Sequence, residues 1–562
     1  MTQQLLVKST TAAWFMTQSV NYLLHSVDFT DTDWSLASTT LTAGQTDPLA
    51  GTNAYTMTAT SSNASLWQVV QLSTTEANRT FSIYVKRKTG TGTISITTDG
   101  VTYENITIDG TWQRFDTTKA ISGLVSPGIK IATSADEIYI AFAQLEDGLT
   151  PTSADFTTTS RYTVTQITDG DYPANTVRGA VFLDGRFFVM TPSGEIYQSA
   201  LENAASWSSL EFIQSQNDPS NGVFIAKTAN YVVALKEWAI EFFYDAANPT
   251  GSILSPVMNA TVPIGCAADR SVQDLGGVLV FMGQTKNGLG RTIIQLSGAS
   301  AQKISTPQIE KILDSSTLAT VHSWSAQIGS HLLYGITLVD LEKTLVYDFS
   351  SQLWSFFTYL EATGGAGVVT AVSALGVVTC TAHGYSDGDI VKISGTLTDF
   401  DGWHVVTQVT ANTFQIQTTA AAYSGTAAVQ EYAETYFPIV ASVRADGRQY
   451  MQDATSGTLY EFAADTYVDD VGAIAARIRT PKLDDGSTKN KQMAKAELIG
   501  DKIDSIAVVR WSDDDYATYS TFRPVDLDLP RSQIRRLGDY RRRAFEVLHV
   551  KNALLRVEAI EI

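Results

Sequence analysis

Cysteine, proline and charge are all scarce in this chain of 562 residues. Its two cysteines, Cys266 and Cys380, lie far apart and match no ligand spacing. A disulfide framework is thereby excluded, and both thiols are expected as small buried groups in a chain that folds in a reducing cytoplasm. Charged residues make up 17%, against roughly 25% in an ordinary soluble protein. What charge there is leans one way: 39 Lys+Arg against 58 Asp+Glu, a net of −19. Such a chain does not grip nucleic acid over its whole surface by counterion release. Its acidity instead suits a β-rich protein that must stay soluble, or one that must keep a polyanion from adhering.

Catalytic constellations are missing as well. None of the six histidines (His25, His322, His331, His383, His404, His549) stands at i, i+4 beside a Glu, so the zincin pattern is absent. No Gly-x-Ser-x-Gly elbow occurs, and Cys266 has no His near it in sequence. The glycine-rich residues 287–292 lack the Gly-Lys-Ser/Thr ending of a phosphate loop and read as a hairpin loop. Asp513, Asp514 and Asp515 lack the alternating spacing of a calcium loop and read as an exposed acidic turn. Glycoside hydrolysis needs only two opposed carboxylates, which a sequence cannot locate. The expectation is therefore no enzyme, no metal and no cofactor. No basic stretch precedes an apolar run at the start, so no signal peptide is expected. Residues 362–386 carry no formal charge and are long enough to span a bilayer. They are rich in Gly, Ser and Thr, and they fold back as two strands around Ser373-Ala-Leu-Gly376, so a hairpin is expected and no membrane span.

What is plentiful is Thr, Ser, Val, Tyr and Phe, residues that fit pleated, half-buried surfaces, and the 44% hydrophobic content is enough for substantial cores. An all-β chain follows, with three or four domains by length. After an N-terminal segment (1–20), residues 21–155 carry short alternating strands, as in Phe81, Ile83 and Val85 with Ser82, Tyr84 and Lys86 between them. Turns at Asp99-Gly100, Asp109-Gly110 and Pro127-Gly128 separate these strands. This is the pattern of a two-sheet jelly-roll sandwich. From about 178 a unit of paired strands recurs, with starts near 178, 228, 274, 325, 439 and 491. A period of about 50 residues is the size of a propeller blade. Six blades are expected, in two parts (156–365 and 431–562), interrupted by a small β-barrel domain inserted at 366–430.

Two groups of side chains stand out as candidate sites. Trp34, Trp67 and Trp112 could stack on sugar rings, although packing against a sheet is the commoner fate of tryptophan. Arg531, Arg535, Arg536, Arg541, Arg542 and Arg543, with Asp539 alone against them, form a local reversal of charge suited to bidentate recognition of carboxylate or phosphate. They are candidates for an interface with acidic neighbours or an adjoining subunit, ahead of DNA-backbone contact.

The repeat region resembles the packaged-DNA stabilisation proteins, or tail nozzle (tail hub) proteins, of short-tailed bacteriophages. The resemblance is carried by residues 181–189 with their Leu183-Asp-Gly-Arg186 turn, by Ala239-Ile-Glu-Phe-Phe-Tyr244, by Val280-Phe-Met-Gly283 with Ile304-Ser-Thr-Pro-Gln-Ile309, and by the closing arginine-rich stretch 535–543. It covers roughly 178–365 and 431–562. Residues 21–148 are similar to the carbohydrate-binding-type jelly roll found on many phage proteins, and the insert to a small virion β-barrel. The resemblance implies a virion tail protein, assembled in the host cytoplasm, that forms a ring, typically a hexamer, below the portal and adaptor. The ring would continue the DNA channel, retain the packaged genome and conduct its ejection. Portal and adaptor proteins, tail fibre, spike or needle proteins and the passing double-stranded DNA are the implied partners. The alternative readings are a host-surface glycan-binding adhesin and a propeller glycosidase.

Overall fold

The computed structural model describes residues 4–8, 12–18, 20–154, 156–157, 162–288, 290–445, 447–463, 466–469, 472–484 and 486–562. It divides into two units, one of Met1–Lys236 with Ile240–Thr261, the other of Glu237–Ala239 with Val262–Ile562.

In the first unit, alternation builds the expected sandwich. Phe81, Ile83 and Val85 point into one core with Leu66, Ile94, Ile96, Ile129, Ile138 and Ile140, each apolar side chain contributing about 1.5–3 kcal/mol by leaving water. Two five-stranded antiparallel sheets enclose that core. The chain enters and leaves the sandwich at one place: Tyr22 N donates to Leu145 O (2.7 Å), and Asn21 bonds the backbone of Ala143 and Leu145. The sandwich is accordingly inserted into another sheet. Strand Ala13–Gln18 before it pairs with Tyr162–Gln166 after it, and with Gln4–Lys8. Asp155, the last residue of the domain expected at 21–155, lies outside the described residues.

Ala13 and Ile167 pack with Phe187, Val189, Ala204 and Trp207 of the next sheet, which has four strands between Val181 and Gln214. Its first hairpin turns through Asp184 (φ 48°) and Gly185 (φ 78°), with Leu183 paired to Arg186. Two consecutive positive φ values make a type I′ turn, which Asp-Gly favours. A third sheet, of four strands between Gly222 and Pro256, shares a core with the second through Phe188, Ile196, Ile225, Val232 and Phe243.

The second unit repeats this stacking. A sheet around Val278–Gln284 and Thr292–Ser297 packs on one around Val321–Ile328 and His331–Leu338. Leu289, in the glycine-rich hairpin loop of the first of these sheets, lies outside the described residues. Between the two sheets lies the one α-helix among the described residues, Pro307–Ser315. It starts where Thr306 caps Ile309 N and Pro307 takes the first turn, which is why the motif Ser305-Thr-Pro307 sits there. A third sheet, Ile439–Ala445, Arg448–Asp453 and Leu459–Glu461, packs on the second through Trp324, Ile439 and Met451. Trp324 lies flat on Gly335, where a Cβ would come within 2.0 Å of the indole. Gly335→Ala is expected to cost about 1–3 kcal/mol by overpacking, seen as a lower thermal midpoint for this unit.

The uncharged stretch 362–386 is a hairpin rather than a span. Strand Leu353–Val372 leaves its sheet at Thr358 and continues as a ribbon with Tyr423–Tyr436. The ribbon carries the inserted barrel, whose strands close through paired bonds between Thr407 and Gln415 (2.9 and 2.8 Å) around Val369, Val378, Val391, Phe400 and Phe414. No helix among the described residues is long and apolar enough to cross a membrane.

One expectation is corrected. The strands from about 491 do not form a further sheet of the repeat. With Ala476–Arg479 they make two facing sheets, Ala476–Arg479/Ala544–His549/Ile506–Ser512/Arg523–Asp526 and Ser532–Tyr540/Lys491–Gly500/Val557–Glu561, over a core of Met493, Val509, Trp511, Leu537 and Phe545. This is a second sandwich. Strand length and spacing are the same in a blade and in a sandwich, so a period read from sequence cannot separate them.

Candidate interaction surfaces

The arginine-rich segment lies on this closing sandwich, on the outer strand Ser532–Tyr540 and the turn that follows. Alternation keeps Ile534, Leu537 and Tyr540 in the core and turns Arg535, Arg536, Arg541 and Arg542 outward. Arg543 is different and is corrected here: it is 1% exposed. Its fork bonds Asp513 at 2.7 Å through both Nε and Nη2, and its Nη1 bonds Leu537 O (2.9 Å). A guanidinium so fully used inside its own chain is not available to a partner. Arg542 faces Asp515 (3.8 Å). Among the described residues no carboxylate pairs with Arg531, Arg535, Arg536 or Arg541.

The acidic turn opposite is spent within the chain. Asp513 holds Arg543, and Asp515 bonds Lys482 (2.9 Å). Asp514 caps the turn by accepting from Thr518 Oγ1, Thr518 N and Ser512 Oγ, which holds its carboxyl down at about 2.

The three tryptophans do not form one platform. Trp34 is buried in the first sandwich, edge-on to Phe29 (4.9 Å) and donating to His25 O (3.1 Å), so stacking on a sugar is corrected for this residue. Trp67 and Trp112 are half-buried and apart, Trp67 on strand Ala64–Gln68 opposite Gly128 and Trp112 just ahead of strand Gln113–Ile121, beside Tyr139 (6.3 Å). The sandwich does have a recess, of about 230 Å³, lined by Tyr22, Leu24, Asp33 and Gln68 to Gln71. No sequence signal marks it, because its walls come from two separate segments. His25, Asp31 and Asp33 near it place ligand atoms within 4.8 Å of one another.

A buried polar seam joins the inserted barrel to the closing sandwich, and sequence reading missed it. Ile390, Val405 and Leu360 meet Val508, Phe522 and Leu548 there. At one end the fully buried His404 donates from Nε2 to Phe400 O (2.8 Å), and its Nδ1 accepts from Lys551 Nζ (3.1 Å). Burial, with the Lys551 charge, pushes His404 down to about 3. His549, bonded to Ser505 Oγ (2.8 Å), is pushed down to about 4 by burial and the same lysine. Lys551 itself falls to about 8 by burial.

A histidine whose folded pKa lies below its unfolded value of about 6.5 takes up its proton more readily in the unfolded chain. Stability is then full above about pH 6.5 and declines as pH falls toward the folded values. Urea midpoints for this unit are expected to fall between pH 6.5 and 4, by up to about 1.4 kcal/mol per pH unit for each histidine. His404→Phe with Lys551→Met should flatten that decline.

Residues 128–379 match the family model described as Bacteriophage P22 Gp10, beta-propeller. The resemblance read in the sequence is thereby shown over that stretch, and the β-propeller fold class it carries agrees with the successive antiparallel sheets found within each unit. The closing residues from 431 onward, which the sequence reading also assigned to the family, lie outside the match. Among solved structures, the enzymatically active domain of tailspike protein 4 from bacteriophage CBA120 is 14% identical over 23% of this chain and 22% of that one, with a TM-score of 0.19. This chain thus spans about a fifth of that domain's length. A carbohydrate-binding module of lichenase 5A from Cellvibrio mixtus is 14% identical over 23% of this chain and 97% of that one, with a TM-score of 0.17. The calcium-binding protein regucalcin from Agrobacterium tumefaciens is 11% identical over 51% and 90%, with a TM-score of 0.22. At such scores the likenesses say nothing about function. No curated protein matches.

Proposed function

We propose that this chain is a structural, non-enzymatic tail protein of a short-tailed bacteriophage, forming the nozzle ring that continues the DNA channel below the portal and adaptor. In that place it retains the packaged genome and conducts it at infection. The observation that carries the reading is the match of residues 128–379 to a phage stabilisation family, over a stretch that folds as successive packed sheets. The net charge of −19 agrees with it, since like charge along a duct keeps passing DNA from sticking.

The test uses DNA-filled heads that lack this protein. Adding the purified chain is expected to raise the fraction of genome protected from nuclease. Heads that leak equally with and without it, while the chain binds host cells, would turn the reading toward a glycan-binding adhesin.

A further inference from the structure

In the first sandwich the loop that precedes strand Trp34–Ala37 brings one imidazole together with carboxylates. Trp34 fixes the loop from inside: its indole donates to His25 O (3.1 Å) and its backbone N to Asp31 O (3.1 Å). The three aspartates of the loop are used differently. Asp28 is spent on the fold, since its Oδ1 accepts from Thr30 N (3.0 Å), Thr30 Oγ1 (2.6 Å) and Tyr55 OH (2.7 Å). Asp31 accepts from Asp33 N through Oδ1 (3.0 Å) and turns Oδ2 to His25 Nδ1, 3.5 Å away. Asp33 places Oδ2 at 3.9 Å from His25 Nε2, and among the described residues no donor bonds its carboxylate. The imidazole between them is largely buried, with 17% of its side chain exposed.

These separations bear on what holds the cluster together. An N–H···O bond spans about 2.7–3.2 Å, so neither carboxylate is hydrogen-bonded to the ring. A divalent ion with bonds of about 2.0–2.2 Å to nitrogen and oxygen keeps its ligand atoms about 3–4 Å from one another. One donor atom from each of His25, Asp31 and Asp33 lies within 4.8 Å of the other two, close to that spacing. The donor set also selects the ion. Oxygen ligands alone suit calcium and magnesium, whereas an imidazole nitrogen draws zinc and its neighbours in the first transition row.

We propose that His25, Asp31 and Asp33 form a binding site for one divalent ion of the zinc type, held by one nitrogen and two carboxylate oxygens. Three protein ligands leave at least one position for water or for an oxygen of a further ligand. Asp33 also lines the recess of about 230 Å³, together with Tyr22, Gln68 and Gln71, so the ion stands at the rim of that recess. All three ligands come from one loop of the sandwich. The site therefore needs neither the propeller nor a second copy of the chain, and it is independent of the nozzle reading.

The experiment titrates the chelator-treated full chain with Zn²⁺ in a calorimeter, beside Asp33→Asn and His25→Gln. Asp33 enters the loop's hydrogen bonds through its backbone N, so Asp33→Asn removes a ligand and leaves the loop's bonds in place. Thermal unfolding checks that each variant folds, and should His25→Gln not fold, Asp33→Asn decides alone. The expected result is one Zn²⁺ bound per unaltered chain, with affinity at least about tenfold lower in each folded variant. Ca²⁺ and Mg²⁺ at the same concentration should leave the Zn²⁺ titration unchanged. With Cu²⁺ as the probe, paramagnetic resonance should show coupling to one ring nitrogen, and this signal should vanish in His25→Gln. Three results would overturn the proposal. They are no stoichiometric Zn²⁺ binding, binding of equal strength in folded Asp33→Asn, and displacement of Zn²⁺ by equimolar Ca²⁺, which would make the loop an acidic cluster without imidazole ligation. None of them touches the nozzle reading, which is judged by genome retention.

Discussion

Replacing Glu546 with alanine is expected to lower the stability of the closing sandwich by about 3–5 kcal/mol, the range for breaking a buried ion pair from one side. Glu546 has no exposed surface and stands among three arginines. Arg510 (2.8 Å) and Arg477 bond its Oε1, and Arg479 (2.6 Å) bonds its Oε2. Arg477 also reaches Glu434 on the ribbon of the inserted barrel (2.7 Å), and the Arg510 guanidinium lies over Tyr519 and Phe522. Without Glu546, three cations face one carboxylate at the seam. The midpoint in urea should fall with little change in slope, and Glu546→Gln, which keeps an acceptor oxygen, should fall less. There is a pH corollary. Burial pushes the Glu546 carboxyl up, but the bonds and charges of Arg479, Arg477 and Arg510 outweigh it, and the net shift is downward. Its contribution is therefore complete above the ordinary glutamate value of about 4.5 and is lost as pH falls through the lower folded value. That loss begins only below about pH 4.5, whereas the decline caused by His404 and His549 begins at about pH 6.5, so the two onsets separate in a pH series.

Lys236→Met is expected to act as strongly in the first unit, again by about 3–5 kcal/mol. Lys236 and Glu241 are both buried, 3.6 Å apart, at 1% and 3% side-chain exposure. The ammonium also donates to Ser215 O (2.9 Å) and Asp218 O, and Glu241 accepts from Asp218 N (3.1 Å). The pair thus ties the connection between two blades to the hairpin of the second. Removing the lysine leaves Glu241 charged and buried beside two unsatisfied carbonyls. Lys236→Met with Glu241→Leu should recover part of the loss, because no lone charge remains. Equal midpoints for the single and double variants would show that the carbonyls, and not the carboxylate, set the cost.

Much of this architecture is written locally. Phe81, Ile83 and Val85 alternate, Asp184-Gly185 fixes its turn, and Ser373 to Gly376 reverse the uncharged stretch, so strands and hairpins can be read from a few residues each. What is written only across long separations escapes such reading. Ala13–Gln18 finds its partner at Tyr162–Gln166, on the far side of a whole sandwich, and nothing in either segment names the other. The strands near 491 look like another repeat because blades and sandwiches share strand length and alternation; only the facing sheet, with Trp511 and Phe545 between, decides. Among the site residues, composition marked the arginine run but not its division. Arg535 and Arg536 face outward while Arg543 is claimed by Asp513, a pairing thirty residues away. The Glu546 and His404 seam carries no motif at all, since its members come from the ribbon, the barrel and the closing sandwich.

The central claim is that this chain forms a ring around the DNA channel, and images of purified phage tails in which this chain carries an antibody-sized label on Trp67's sandwich test it most directly. The account predicts averaged views with the labelled protein as a closed ring coaxial with the portal. Labelled copies hanging singly or in threes from the tail's periphery, off the channel axis, would contradict it.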